Sequence, residues 1–240
     1  MTGSPRPDDA GRGKGAGKTV ERVDILTRRQ LLQLTGLVAA GYGASLFLRR
    51  MAPLGRDVSE NAVAQAVLHD REAPREGPPG ADVTLAVFTD YQCPACRKAE
   101  PDLRMALQED RGVAVIYKDW PIFGPMSQRA ARVALAADRQ SLYPQVHHAL
   151  MREKRVLEPD VLRQLVESVG GRWSRIEHDL EAHGGEIDAA LARTTREAFA
   201  LGLAGTPAFV IGPRLIEGAL DRGEFLRAFG AARKAALAGR

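Results

Sequence analysis

The residues of this sequence whose types and spacing suit chemistry are its two cysteines, Cys93 and Cys96, separated by Pro94-Ala95. They stand where an apolar run, Asp82 to Thr89 (DVTLAVFT), gives way to helical spacing over Pro94 to Glu109. A thiol at a helix N-terminus meets unpaired backbone N–H groups and the positive end of the helix dipole, which favour a thiolate there. Pro94 suits the first helical position, because its missing N–H would be unpaired anyway. Cys96, one turn on, is placed to close a four-residue ring with Cys93. The pair reads as a nucleophilic thiol and a resolving thiol, the parts of reversible disulfide exchange.

Two plainer readings compete. A structural disulfide would close so short a loop that it stabilises little. A zinc site would need two further ligands, for which His178 and His183 at H-x4-H spacing are the candidates. His69, His147 and His148 read as helix-surface residues, and neither a metal nor a cofactor is expected.

The elements that must position the cysteines follow from periodicity. Asp82–Thr89 is near-continuously apolar, as a strand buried on both faces is, and Val113–Tyr117 (VAVIY) is a second such strand. From Ser127 to Leu203 apolar residues recur at three-to-four spacing in about five blocks, whose starts are marked by Ser127, Pro159 and a Ser174/Glu177 capping box. Strand chemistry returns at Ala208–Ile211, turns at Gly212-Pro213 and resumes at Leu215-Ile216, a hairpin, before a closing helix over Asp221–Leu237. Ahead of the first strand, Asp57–His69 reads as a short helix with Asp57 and Glu60 spaced as a capping pair, and Pro74–Gly80 as a linker. The plan is β-α-β, an all-helical insertion over about 127–203, then β-β-α.

Charge separates the chain into two parts. Of 34 basic and 30 acidic residues, nine and four lie in residues 1–50, which leaves 25 and 26 for the rest. The basic excess belongs to the N-terminal segment, so the body has no net attraction for nucleic acid. Residues 1–26 are too polar to bury a core and read as a disordered arm. Gly17-Lys18-Thr19 falls short of a phosphate loop, because Arg12 stands where glycine is required. Residues 27–50 read as an export signal or membrane anchor. Thr27-Arg28-Arg29-Gln30-Leu31-Leu32 precedes an apolar run over residues 31–48, and the string resembles a twin-arginine signal. A general secretory signal or an uncleaved anchor is the alternative, since the run is about 27 Å long as a helix and the hydrocarbon layer is about 30 Å. Residues 51–80 form a short helix and linker, and 81–240 the main domain.

Three motifs, in order, carry a family resemblance: Phe88-Thr89-Asp90-Tyr91-Gln92-Cys93-Pro94-Ala95-Cys96-Arg97-Lys98, Tyr117-Lys118-Asp119-Trp120-Pro121 and Gly205-Thr206-Pro207-Ala208-Phe209. The chain resembles the DsbA-like thiol:disulfide oxidoreductases over roughly residues 70–235. The resemblance implies an α/β thioredoxin fold with a helical insertion, Cys93 as the attacking cysteine, Cys96 as its partner, and Thr206-Pro207 as a cis-proline loop facing them and binding substrate. It also implies cysteine-containing substrate proteins and a membrane redox partner such as a quinone-linked oxidase or reductase; the segment at 27–50 places the body in a periplasmic or other extracytoplasmic location, with anchoring through 31–48 as one option. Oxidation is the expected direction; isomerase or reductase activity, or redox-inert chaperone-like binding, are the alternatives.

One position departs from the pattern. The acid that many thioredoxin-fold redox proteins carry six residues before the first cysteine is Val87 here, so proton transfer to Cys96 falls to water or to Asp90, Lys118 or Asp119. Trp120 either lines the substrate groove or packs under the active-site helix, and Arg97 and Lys98 read as solvated.

Overall fold

A computed structural model describes residues 32–33, 35–38, 41–43 and 54–238. The chain divides into two compact units, Met1–Ala52 and Pro53–Arg240. In the first, the described residues are helical; the expected arm over 1–26 and the arginine pair lie outside the described residues. Among those described, no helix is long and apolar enough to cross a membrane.

The second unit is built on one sheet. Its strands are β1 (Arg56–Asp57), β2 (Arg75–Glu76), β3 (Val83–Thr89), β4 (Val113–Asp119), β5 (Ala208–Ile211) and β6 (Arg214–Glu217), in spatial order β1-β6-β5-β3-β4-β2. The two apolar strands, β3 and β4, pair in parallel with Leu85 opposite Val115 and Thr89 opposite Asp119. A parallel pair needs a long crossover, and α2 (Pro94–Glu109) supplies it. β5 pairs antiparallel with β3, and the short turn at Gly212-Pro213 returns β6 along β5.

The pleat sends alternate side chains of β3 into two cores. Leu85 and Val87 join Leu103 of α2 and Phe225 and Phe229 of α8 (Arg222–Ala238) on one face. Ala86 and Phe88 face α1 (Ala62–Leu68) and the end of α7 (Gly184–Ala200) on the other. Between β4 and β5 stand five helices: α3 (Pro125–Asp138), α4 (Tyr143–Arg152), α5 (Pro159–Ser168), α6 (Trp173–Ala182) and α7. Their inward stripes, among them Ala130, Val133, Val146, Leu150, Leu162 and Ile176, extend the first core.

Two caps differ from expectation. The N-cap of α1 is Asn61, whose side chain accepts from the Ala64 N–H at 3.0 Å. Asp57 instead accepts from Ser59 N at 2.9 Å in a local turn, and Arg56–Asp57 pairs with β6. Likewise α6 begins at Trp173 after Arg172, so Ser174 already lies inside the helix and the Ser174/Glu177 box does not form. The edge strands β1 and β2, two residues each, are too short to show a period-2 pattern in sequence.

Lys118 is 1% exposed, on the face of β4 opposite α2, and its Nζ lies 2.5 Å from Asp70 and 2.7 Å from Glu197. A buried ammonium persists when it is paired; here the two carboxylates come from the segment after α1 and from α7, and the ion pairs tie both to the sheet.

Candidate active site

Strand β3 ends at Thr89, and the next residue organises the cysteine loop. Asp90 is buried, and its carboxylate accepts four hydrogen bonds: Oδ1 from Gln92 N at 2.7 Å and Ser127 Oγ at 2.6 Å, Oδ2 from Ile122 N at 2.7 Å and Phe123 N at 2.9 Å. The Cys93 N–H donates to the Asp90 carbonyl at 3.1 Å. One side chain thus fixes the loop before α2 against the loop before α3.

Cys93 is the N-cap of α2, in extended conformation, and its Sγ accepts from the Cys96 N–H at 3.4 Å. The Cys93 carbonyl accepts the first helical bond, from Arg97 N at 3.1 Å. Pro94 opens the helix as its residue type requires. From the far end of the fold the loop before β5 meets the thiol: Cys93 Sγ donates to the Thr206 carbonyl at 3.2 Å. The Thr206–Pro207 peptide bond is cis. Both cysteines are free thiols and buried. Burial pushes the Cys96 thiol up to about 12, against relief from hydrogen bonding to Thr206, the Asp90 backbone and Thr89. The structure therefore brings all four residues singled out in sequence, Cys93, Cys96, Thr206 and Pro207, to one place.

The three alternatives to an acid at position 87 are now distinguishable. Val87 is packed in the core. Lys118 is committed to its ion pairs on the opposite face of the sheet, and Asp90 to its four donors. Asp119 stands beside Thr89 across β3 and β4. It is fully buried, its Oδ2 accepts from Tyr143 OH at 2.9 Å, and its Oδ1 has no partner. Burial raises its carboxyl to about 7, with Tyr143 and Tyr91 opposing the shift.

Other expectations need correction. Arg97 is not simply solvated: Nε donates to the Tyr91 carbonyl and Nη1 to the Glu153 carbonyl, each at 2.7 Å, while Lys98 is exposed. Trp120 neither lines the thiols nor packs under α2; it lies in the core on the other face, edge-to-face with Phe199 at 5.9 Å between centroids. His147 and His148 are not on a helix surface but buried between α4 and α2, beside Glu100. His178 and His183 do not gather with the cysteines among the described residues.

The model of the DSBA-like thioredoxin domain family matches residues 84–234. The chain belongs to the DsbA-like family. Among solved DsbA-like and thioredoxin-like structures, a thioredoxin-like oxidoreductase from Silicibacter pomeroyi DSS-3 is 35% identical with a TM-score of 0.67, over 71% of this chain and 97% of that one. A periplasmic thioredoxin-like protein from Salmonella enterica serovar Typhimurium is 28% identical with a TM-score of 0.61, over 72% of this chain and 97% of that one. Curated relatives are longer. Na(+)/H(+) antiporter NhaA 3 of Salinispora tropica is 27% identical over 195 residues, 75% of this chain and 29% of the antiporter. The DsbA-like chain thus spans about a third or less of the length of the curated relatives it matches.

Proposed function

We propose that the protein exchanges disulfides with the thiols of substrate proteins through Cys93, in the oxidising direction. The observation that carries this reading is the seat of the Cys93 sulfur between the Cys96 N–H and the Thr206 carbonyl. A substrate thiolate attacks Sγ of Cys93 in the Cys93–Cys96 disulfide. The new bond joins substrate sulfur to Cys93, the Cys93–Cys96 bond breaks, and its electron pair leaves on Cys96, which takes up a proton. A second substrate thiolate then attacks the substrate sulfur of the mixed disulfide. Substrate disulfide forms and Cys93 leaves as a thiolate, its charge met by the Cys96 N–H and the positive end of α2. Two electrons have passed from the substrate dithiol to the cysteine pair.

Charge on the reduced Cys93 sulfur is met by the Cys96 N–H and the positive end of α2, and stabilising the reduced form is what makes a dithiol pair an oxidant. Burial, which pushes the Cys96 thiol up to about 12, keeps that leaving sulfur protonated without favouring either direction at neutral pH. Asp119 is the group we assign to exchange the Cys96 proton, since it shares a face with Thr89 and holds an unpartnered oxygen. Thr206 offers backbone to an extended substrate segment, the recognition mode of strand addition. With no cysteine besides these two, regeneration requires an external oxidant, and a membrane quinone-linked oxidase is the partner class we propose. The leader at 27–50 and the periplasmic Salmonella relative support action outside the cytoplasm, held at the membrane through 31–48.

Equilibration of the purified protein with glutathione buffers tests the reading. The expected result is cycling between zero and two reactive thiols with a midpoint more oxidising than glutathione. Two thiols retained at every ratio would remove the enzyme assignment, and a midpoint far more reducing than glutathione would make the protein a reductase.

A further inference from the structure

Outside the cysteine site the fold buries a second group of chemically capable side chains. Glu100 lies on α2 one turn beyond Cys96, and His147 and His148 lie on α4 of the helical insertion. Glu100 Oε1 is 2.6 Å from His148 Nδ1, and Oε2 is 3.6 Å from His147 Nε2. One donor atom from each residue falls within 4.8 Å of the other two. Both carboxylate oxygens therefore face imidazole nitrogens, one each.

Hydrogen-bond directions around the cluster decide what those nitrogens present. Tyr143 OH donates to Asp119 at 2.9 Å, so its oxygen is left to accept from Tyr91 OH, 3.3 Å away. With its hydrogen directed to Tyr143 or Asp119, the Tyr91 oxygen is the acceptor for His147 Nδ1 at 3.0 Å. With the His147 proton on Nδ1, its Nε2 lone pair is turned toward the Glu100 carboxylate, 3.6 Å away, so a cation placed between them would be met by both.

His148 flanks the other oxygen of Glu100. Its Nε2 lies 3.0 Å from Glu76 Oε2, which also accepts from Tyr117 OH at 2.7 Å. Arg104 Nη1, which can only donate, lies 2.5 Å from the same nitrogen and 3.3 Å from Glu76 Oε1, while His148 Nδ1–H donates to Glu100 Oε1 at 2.6 Å. With an ion in place of that Nδ1 proton, Nε2 would carry its proton toward Glu76 and Arg104 would rest on the other carboxylate oxygen. A metal-binding histidine that donates its second nitrogen to a carboxylate or another oxygen is the usual supporting arrangement of such sites.

We propose that Glu100, His147 and His148 bind one zinc ion, with Glu76 and Tyr91 holding the two imidazoles in the ligating tautomers. Two imidazole nitrogens and a carboxylate able to bind through both oxygens give a four-donor set that suits zinc rather than calcium or magnesium. Zn–N and Zn–O bonds of about 2.0–2.2 Å place donors roughly 3.3 Å apart, so the cluster adjusts by small side-chain shifts, and the ion replaces the His148 Nδ1 proton that now faces Glu100. The ion would clip the helix that carries the cysteines to the helical insertion.

The test uses the full chain with Cys93→Ser and Cys96→Ser, so that neither thiol contributes and the result is independent of the redox assignment. Zn2+ or Co2+ alone is added after chelator treatment. Expected are one ion per chain, a tetrahedral Co2+ absorption spectrum and a higher melting temperature with Zn2+. Glu100→Gln and His148→Gln should lose binding at least 10-fold, and Glu76→Gln, which touches no ion, roughly 10–100-fold. Melting of each variant in chelator checks that it folds. A Zn2+-insensitive melting temperature in the parent protein would overturn the proposal without reference to any variant. So would zinc binding that appears only when the cysteines are restored, or unchanged affinity in folded His148→Gln.

Discussion

The Cys93 sulfur donates to the carbonyl oxygen of Thr206 across 3.2 Å, although 113 residues separate them in the chain. The contact joins the N-terminus of α2 to the loop before β5, so the thiol we propose as the attacking one and the backbone we propose as substrate-facing are neighbours. Exchange at Cys93 can then be coupled to extended binding at Thr206.

The two cysteines should fail differently. Cys93→Ser should abolish exchange, because no sulfur remains at the helix end to form the mixed disulfide. Cys96→Ser retains that sulfur and loses the resolving thiol, so it should accumulate covalent adducts. Non-reducing gels of cells carrying each variant measure this; equal adducts in both would reverse the assignment of roles.

Asp90 carries the geometry of the cysteine loop in our reading. Asp90→Asn keeps the shape but replaces one acceptor oxygen with an NH2 group, against four donors that now converge on the carboxylate. A loss of roughly 2–4 kcal/mol in urea unfolding is expected, since hydrogen bonds to a charged group each contribute about 1.5–3 kcal/mol. Exchange with glutathione should slow several-fold as the loop shifts. Wild-type stability and rate together would show that Asp90 holds neither loop.

Asp119 gives a pH signature. Its carboxyl titrates near 7 when folded and near its ordinary 3.8 when the chain is unfolded. Between about pH 4 and 7 the unfolded chain releases a proton that the folded protein keeps, so this group lowers stability as pH rises through that window and has a constant effect outside it. Asp119→Asn removes the ionisation, and its stability relative to wild type should climb by roughly 2–4 kcal/mol from pH 4 to 8. Parallel stability curves for the two proteins across that range would refute the buried-acid assignment. Slower resolution of mixed disulfides in the same variant would support its part in moving the Cys96 proton.

The proposed export signal is tested separately from the proposed exchange activity. Changing Arg28 and Arg29 together to Lys keeps the positive charge and removes the guanidinium pair. Fractionation should show the double variant retained inside the cell if a twin-arginine route is used. Normal export would point to the general secretory route.

Much of this protein was legible in its residues because the relevant relationships are local. Cys93 and Cys96 are three positions apart in the first turn of a helix, and one backbone N–H joins them. The apolar runs of β3 and β4 announce a parallel pair, and the helical blocks between Ser127 and Leu203 follow from spacing alone. The family pattern also named Thr206 and Pro207, which nothing local connects to the cysteines. What the chain order concealed was each group whose partners arrive from other elements. Lys118 looked like a spare proton donor until Asp70 and Glu197 were seen to enclose it. Asp90 looked like a spare acid until the loop before α3 delivered Ile122, Phe123 and Ser127 to it. His147 and His148 looked like surface residues because helical spacing marks a core stripe only by its apolar members. Docking of α4 on α2 buried them against Glu100, and a polar residue becomes a core residue only when tertiary packing supplies the charge or hydrogen bond that makes its burial tolerable.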